Sequence, residues 1–265
     1  MWGSPRGDAP RLRLVLTRVV ALGASNLTRG LQTVVAAARQ EFGRDVEILA
    51  ALGHGRSYGA DSQFLARTLP GILQSGLWRT LDALPAAPTR AIVSDVGNDI
   101  LYGYSPPQIL DWVREAVDRL QRHTTDIAIA GLPHSRIDDL SRIKFLLMRT
   151  VLFPACRLTL AEVAEAAVTI EDGLAGLASA RGLRFVAMEP EWYGIDPIHI
   201  RPSLWQPVWR QILRADAPLD HPALSRREWI HLYRLRPERR RMFGIEQVTE
   251  QRGHALASGG RVWLF

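Results

Sequence analysis

The chain has 265 residues, of which 47% are hydrophobic and 23% charged, with a single cysteine, Cys156. One large domain of this length buries roughly three quarters of its extended surface, so its core needs neither metal nor disulfide. The lone thiol rules out an internal disulfide and suits a reducing, cytoplasmic setting. The net charge of +6 is nearly all arginine, Lys144 being the only lysine; it speaks to association, not to fold. No run of about 18 apolar residues occurs, so no membrane span is expected.

Residues 1–13 carry glycine, prolines and arginines and read as a loose tail. The apolar stretch that follows has the outline of a signal peptide, but Arg18 interrupts it where a cleavable core tolerates no arginine. Residues 18–22 form a short apolar run ending at Gly23, as a buried parallel strand does. Leu31, Val34, Val35, Ala38 and Phe42 then recur at helical spacing from Thr28 until Gly43. Val46–Leu52 reads as a second strand, followed by a glycine-rich loop, Gly53 to Gly59. Ser62–Leu73 reads as a helix limited by Pro70. Ala91–Val96 is a third strand, and Pro106-Pro107 opens a helix over Ile109, Val113, Ala116, Val117 and Leu120. Asp126–Ala130 is a fourth strand. Leu158–Ala180 is a long helix ending near Gly182, Leu183–Met188 a fifth strand, and Ser203–Leu213 a closing helix. Alternating apolar strands and helices predict an α/β fold: a five-stranded parallel sheet between two helical layers, a three-layer α/β/α sandwich.

Ligands of such sheets sit beyond the carboxyl ends of the strands. There the sequence places Gly23-Ala24-Ser25-Asn26, Gly53-His54-Gly55-Arg56-Ser57, Gly97-Asn98-Asp99 and Asp196-Pro197-Ile198-His199. A serine hydroxyl attacks a carbonyl once a base takes its proton, and an acid three residues before a histidine can hold its other ring nitrogen. Backbone N–H groups at Ser25 and Gly55 and the Asn98 amide are candidate donors to an oxyanion.

In chain order these blocks resemble the SGNH (GDSL-like) hydrolases, a family named for its Ser, Gly, Asn and His. The resemblance spans about residues 19–199. It implies a flavodoxin-like fold and ester hydrolysis, with Ser25 as nucleophile and His199 and Asp196 completing a triad. Ser25, Gly55 and Asn98 would form the oxyanion hole. Known members include lipases, acyl-thioesterases and carbohydrate acetylesterases, so the substrate expected is a small-molecule ester. Two positions depart from the family pattern: Ala24 stands where an acid usually precedes the serine, and Val96 where a glycine usually stands two residues before the asparagine. Gly53 and Gly59 are alternatives to Gly55.

Each block also has a plainer reading. Ser25 could be a helix cap, Asn98 a turn former, and His199 a surface histidine. Gly55-Arg56-Ser57-Tyr58-Gly59 matches the Gly-x-Ser-x-Gly nucleophile elbow and makes Ser57 a rival to Ser25. That elbow, however, usually follows several strands. His54, Trp192 and Tyr193 are candidates to touch substrate, with loop shaping and core packing as alternatives. The remaining histidines, His123, His134, His221, His231 and His254, lack metal-ligand spacing, and the Gly23–Gly30 stretch lacks a phosphate-loop ending, so no metal and no cofactor are expected. The stretch Ser135–Pro154, with Arg136, Arg142, Lys144 and Arg149, reads as an amphipathic surface helix or a lid.

The expected division is a hydrolase domain over 1–215 and a basic extension over 216–265. The arginines of the extension, among them Arg239-Arg240-Arg241, read as a solvated face in preference to a nucleic-acid or anionic-lipid patch. Its apolar end, Val262-Trp263-Leu264-Phe265, is expected to pack on the domain or on a second copy of the chain in a homo-oligomer. The alternative to an enzyme is a catalytically silent module on the same fold that binds an anionic partner through this tail.

Overall fold

The computed structural model describes residues 16–133, 145–146, 149–150, 153–194, 196, 198–217, 224–257 and 259–265. The N-terminal tail, His134, Arg136, Arg142, Lys144, Pro197 and His221 lie outside the described residues.

Strand β1 (Arg18–Leu22) is buried along its whole length. Its alternate side chains feed two cores: Val20 and Leu22 one side of the sheet, Val19 and Ala21 the other. Each fully buried valine or leucine contributes roughly 1.5–3 kcal/mol of apolar burial, so a strand buried on both faces is strongly held in place. Helix α1 (Ser25–Phe42) buries Leu31, Val34, Val35 and Ala38 and ends at Gly43. Strands β2 (Glu47–Ala51), β5 (Thr89–Val93), β6 (Ile127–Ala130) and β7 (Arg184–Val186) run parallel to β1. Between β1 and β7 the remaining long helices are α4 (Pro106–Leu120), opened by its two prolines, and α5 (Leu160–Arg181). In α5 the capping box is complete, Thr159 and Glu162 each accepting from the other's backbone N–H. Helix α6 (Trp205–Leu213) follows β7.

Helices α1 and α6 cover one face of the sheet, and α4 and α5 the other. Taken alone, the five parallel strands lie in the order second, first, third, fourth, fifth (β2-β1-β5-β6-β7), the flavodoxin-like arrangement. The chain reverses direction of growth between β1 and β5. Leu22 lies level with Ala51 on one side and Val93 on the other. Three loops therefore leave the sheet side by side at one rim.

Three expectations require correction. The sheet has seven strands, not five: β10 (His254–Ala255) and β11 (Arg261–Leu264) extend it beyond β2, with β11 parallel to β2 and β10 antiparallel to β11. Residues 261–265 are the apolar end of the chain, and Val262, Trp263, Leu264 and Phe265 are buried against this same domain. Second, Ser62–Leu73 is not a helix. It forms strands β3 (Ser62–Phe64) and β4 (Arg67–Leu69), then a short 3-10 turn over Ile72–Gln74. Leu65 makes the tight turn in a left-handed conformation (φ 54°). Strand β4 pairs with β8 (Arg239–Met242), which pairs with β9 (Ile245–Val248), completing a four-stranded antiparallel sheet. A partner so distant in sequence overrides local helical pattern. Third, helix α2 (Leu77–Ala83) was absent from the pattern reading, as was the short helix α3 (Asn98–Leu101).

The basic segment folds as helix α7 (Arg226–Arg234) and the β8–β9 hairpin. Arg239 pairs with Glu246, and Arg252 with Glu250, in exposed ion pairs that contribute little to stability. Among the described residues no helix is long and apolar enough to cross a membrane.

Candidate active site

Ser25 is the first residue of α1 and is half-buried at the rim between β1 and β5. The turn that delivers it is tight. A Cβ on Gly23 would stand 2.4 Å from Ser94 Oγ and 3.0 Å from Leu27 Cβ, so any larger residue would force those side chains to shift. Helix starts leave N–H groups without intrahelical partners. Here Asp95, at the end of β5, takes two of them: its Oδ2 accepts from Ala24 N (2.7 Å) and Leu27 N (3.0 Å). Its Oδ1 accepts from Asn26 Nδ2 at 2.8 Å. Asp95 adopts a left-handed backbone (φ 58°) to reach across, a conformation that aspartate tolerates better than most residues. A carboxylate just past β5 thus holds the turn that carries Ser25.

Asn26 joins this turn to the histidine segment. Its Nδ2 donates to Ile198 O at 3.0 Å, and its Oδ1 accepts from Ile200 N at 2.9 Å. His199 is gripped on both sides by the residue that follows Ser25. His199 Nδ1 lies 2.6 Å from Asp196 Oδ2, which fixes the ring by its far nitrogen. Partial burial opposes charge on Asp196, but the His199 hydrogen bond and charge, the Ile198 N–H and the Arg29 charge together hold its pKa below the usual value. The Asp196 side chain is 52% exposed and that of His199 only 12%, so the pair runs from surface to interior. Among the described residues no hydrogen bond joins Ser25 Oγ to His199; such bonds often tighten only when substrate arrives.

The loop that carries Gly55 and the segment that carries Asn98 are tied together by two clamps. Tyr102, just after α3, donates its hydroxyl to Gly55 O (2.6 Å) and Gln63 O (3.2 Å). Asp99 Oδ2 accepts from Tyr58 N at 3.0 Å. Burial pushes the Asp99 carboxyl up to about 6, with the Ser57 hydroxyl and the Tyr58 N–H pulling the other way. Gly55 has a left-handed backbone (φ 67°), which Gly53 does not, and packs against Phe64. Gly59 instead lies under Trp112. Among the described residues, the Ser25 N–H, the Gly55 N–H and the Asn98 side-chain amide have no hydrogen-bond partner.

Ser57, the rival nucleophile, is fully buried, and its Oγ accepts from Gly59 N (3.2 Å) and Ala60 N (3.0 Å). It closes a turn and lies buried, which counts against the elbow reading of this loop. Neighbouring Arg56 is equally buried and donates to Leu52 O, Pro70 O and Phe265 O, tying the loop to the last strand. Burial, with the Arg67 charge, brings its pKa down to about 9.

His54 packs on Phe64 of β3, with ring centroids 5.7 Å apart, and its carbonyl accepts from Arg67 of β4. Burial first, then the charges of Arg67, Arg29 and His199, lower its pKa to about 4; the ring is neutral at pH 7. The small sheet therefore buttresses the Gly55 loop. A cavity of about 100 Å³ opens beside Ser25 and Asn98. Tyr193 lines it, whereas Trp192 packs on the core at the α1–α6 face and His54 stands outside its wall. Among the described residues no three His, Cys, Asp or Glu side chains gather as a metal site.

Sequence reading missed Asn26, Asp95, Asp99 and Tyr102, which hold the loops to one another. Asn26 and Asp95 had a signal, being polar and within four residues of an apolar strand's carboxyl end; Asp99 and Tyr102 lie six and nine residues past β5 and had none.

An open, mostly parallel sheet with a serine at its topological switch point defines the class of architecture. No family model matches the chain, and no curated protein matches it. Among solved structures it is similar to an inhibitor-bound aryl esterase of M. Smegmatis, with 13% identity, a TM-score of 0.47, and 75% of this chain and 99% of that one covered. It is similar to TesA at 13% identity and a TM-score of 0.44, covering 78% and 99%. It is similar to AlinE4, a SGNH-hydrolase family esterase, at 17% identity and a TM-score of 0.40, covering 75% and 94%.

Proposed function

We propose that the protein is a serine esterase of the SGNH type, hydrolysing a carboxylic ester through an acyl-enzyme on Ser25. The observation that carries the reading is the pair of hydrogen bonds by which Asn26, next to Ser25, donates to Ile198 O and accepts from Ile200 N, on the two sides of His199. Ser25 Oγ forms a bond to the ester carbon as His199 Nε2 takes its proton, and the carbonyl π pair moves to oxygen. The three free donors at Ser25, Gly55 and Asn98 suit that oxyanion, an interaction of about 3–4 kcal/mol per donor in comparable sites. Collapse of the intermediate breaks the bond to the alcohol oxygen, which leaves with the proton from His199. Water then enters, gives a proton to His199, attacks the acyl carbon and releases the acid and the free serine. Asp196 holds the imidazole in the tautomer this cycle requires and offsets its positive charge.

Labelling with a small fluorophosphonate tests the reading. Mass spectrometry should place the adduct on Ser25, and Ser25→Ala and His199→Ala should both abolish labelling. An adduct on any other serine, or none at all on folded protein, defeats it.

A further inference from the structure

The cavity beside Ser25 says what kind of acyl group fits. Its walls come from both sides of the sheet: Leu132, Phe145 and Val163 on one, Met188, Trp209 and Ile212 on the other. All six are hydrocarbon, sulfur or indole surface. The polar side chains in the wall besides Ser25 and Asn98 are largely occupied. Asp95 and Asn26 bond to one another and to backbone, and Ser94 Oγ donates to Leu22 O. Burial keeps the Tyr193 phenol neutral. Among the described residues no cationic side chain lines the space, and the one carboxylate among those lining it already accepts three hydrogen bonds. A sugar hydroxyl or a charged acid would enter at the loss of its hydration, with few groups to replace it.

The direction of binding follows from the proton. The alcohol oxygen must meet His199, whose partner Asp196 stands at the surface, so the leaving group faces solvent. The acyl chain points inward. An apolar cavity of about 150 Å³ holds a benzene ring, so about 100 Å³ holds a chain a little shorter than that ring's six atoms.

We infer that this cavity is an acyl-binding pocket selecting aliphatic acyl groups of about four to six carbons, the lower end set by unfilled apolar wall and the upper by the cavity's volume. This rests on the esterase reading above.

The experiment is a p-nitrophenyl ester series from acetate to laurate. Each methylene that enters the pocket raises kcat/KM by about fourfold. Butyrate and hexanoate should therefore exceed acetate by roughly tenfold or more, with a fall of similar size by laurate. Val163→Phe shortens the pocket and should lower the hexanoate-to-acetate ratio by roughly tenfold; Val163→Ala lengthens it and should move the optimum to longer chains. If the phenylalanine variant does not fold, the alanine variant and the unmodified series still decide. Hydrolysis fastest on acetate, with ratios unmoved by Val163→Ala, overturns the pocket while leaving the esterase reading intact. Absence of both hydrolysis and fluorophosphonate labelling at Ser25 overturns the esterase reading and the pocket with it.

Discussion

The loops after β1 and β2 each carry a serine between glycine-rich neighbours at the same rim of the sheet, yet they do opposite things. Ser25 sits half-buried at a helix N-terminus, its hydroxyl free of partners among the described residues and beside a cavity. Ser57 is buried, and its oxygen is committed to two backbone N–H groups. The motif around Ser57 is the fuller match to a nucleophile elbow, but a nucleophile needs an uncommitted oxygen facing open space. What separates the two loops is where their hydrogen bonds go. Around Ser25, the free N–H groups are met by Asp95, reaching in from β5, which leaves the serine itself uncommitted.

The comparison breaks first at Ser25. Ser25→Ala should lower ester hydrolysis by at least about 10⁴-fold while the thermal midpoint stays within a few degrees, and His199→Ala should do nearly as much. Activity surviving either change would erase the distinction between the loops. A smaller effect is expected from Asn26→Ala, which releases Ile198 and Ile200. It should cut kcat by about ten- to a hundredfold with KM within about threefold, since the histidine is mispositioned and substrate binding is not. Equal losses in kcat and stability alone, with KM raised, would assign Asn26 a purely structural role. Ser57→Ala sharpens the contrast from the other side. It leaves two half-buried donors without their acceptor, a destabilisation of about 1 kcal/mol by chemical denaturation, with ester turnover per folded molecule held within about threefold.

The smallest expected effect concerns pH. His54 titrates at about 4 in the folded protein against an ordinary 6.5. Its neutral form thus contributes stability that is full above pH 6.5 and is lost as pH falls toward 4, because the unfolded chain takes the proton first. Asp99 acts in the opposite sense. Its folded pKa of about 6 exceeds the ordinary 3.8, so the folded state takes that proton first and gains stability as pH falls through this window. Replacing His54→Asn removes only the first contribution. The variant should lose less thermal stability than the unmodified protein between pH 7 and pH 4.5, measured by melting at both. An unchanged or steeper loss would show that the β2 loop does not bury a neutral imidazole.

Much of the fold was legible because its signals are local. Continuous apolar runs marked β1, β2, β5, β6 and β7, a proline pair marked the start of α4, and Gly43 and Gly182 marked helix ends. The small sheet was not legible, since β4 is a strand only by pairing with β8, far along the chain. The same holds for β11, whose apolar residues announced burial without naming β2 as neighbour.

For the site, the sequence by itself determined the chemistry on offer: a serine, a glycine loop, an amide and an Asp-x-x-His segment, each just past a strand or in the turn beyond it. Only the tertiary structure decided which serine stands free, that Asp95 holds the turn before it, and that Asn26 ties the histidine segment to the serine's turn. The physical reason is that residue type and spacing fix what a group can do, whereas whether its hydrogen bonds are already taken depends on partners that folding brings in from elsewhere in the chain.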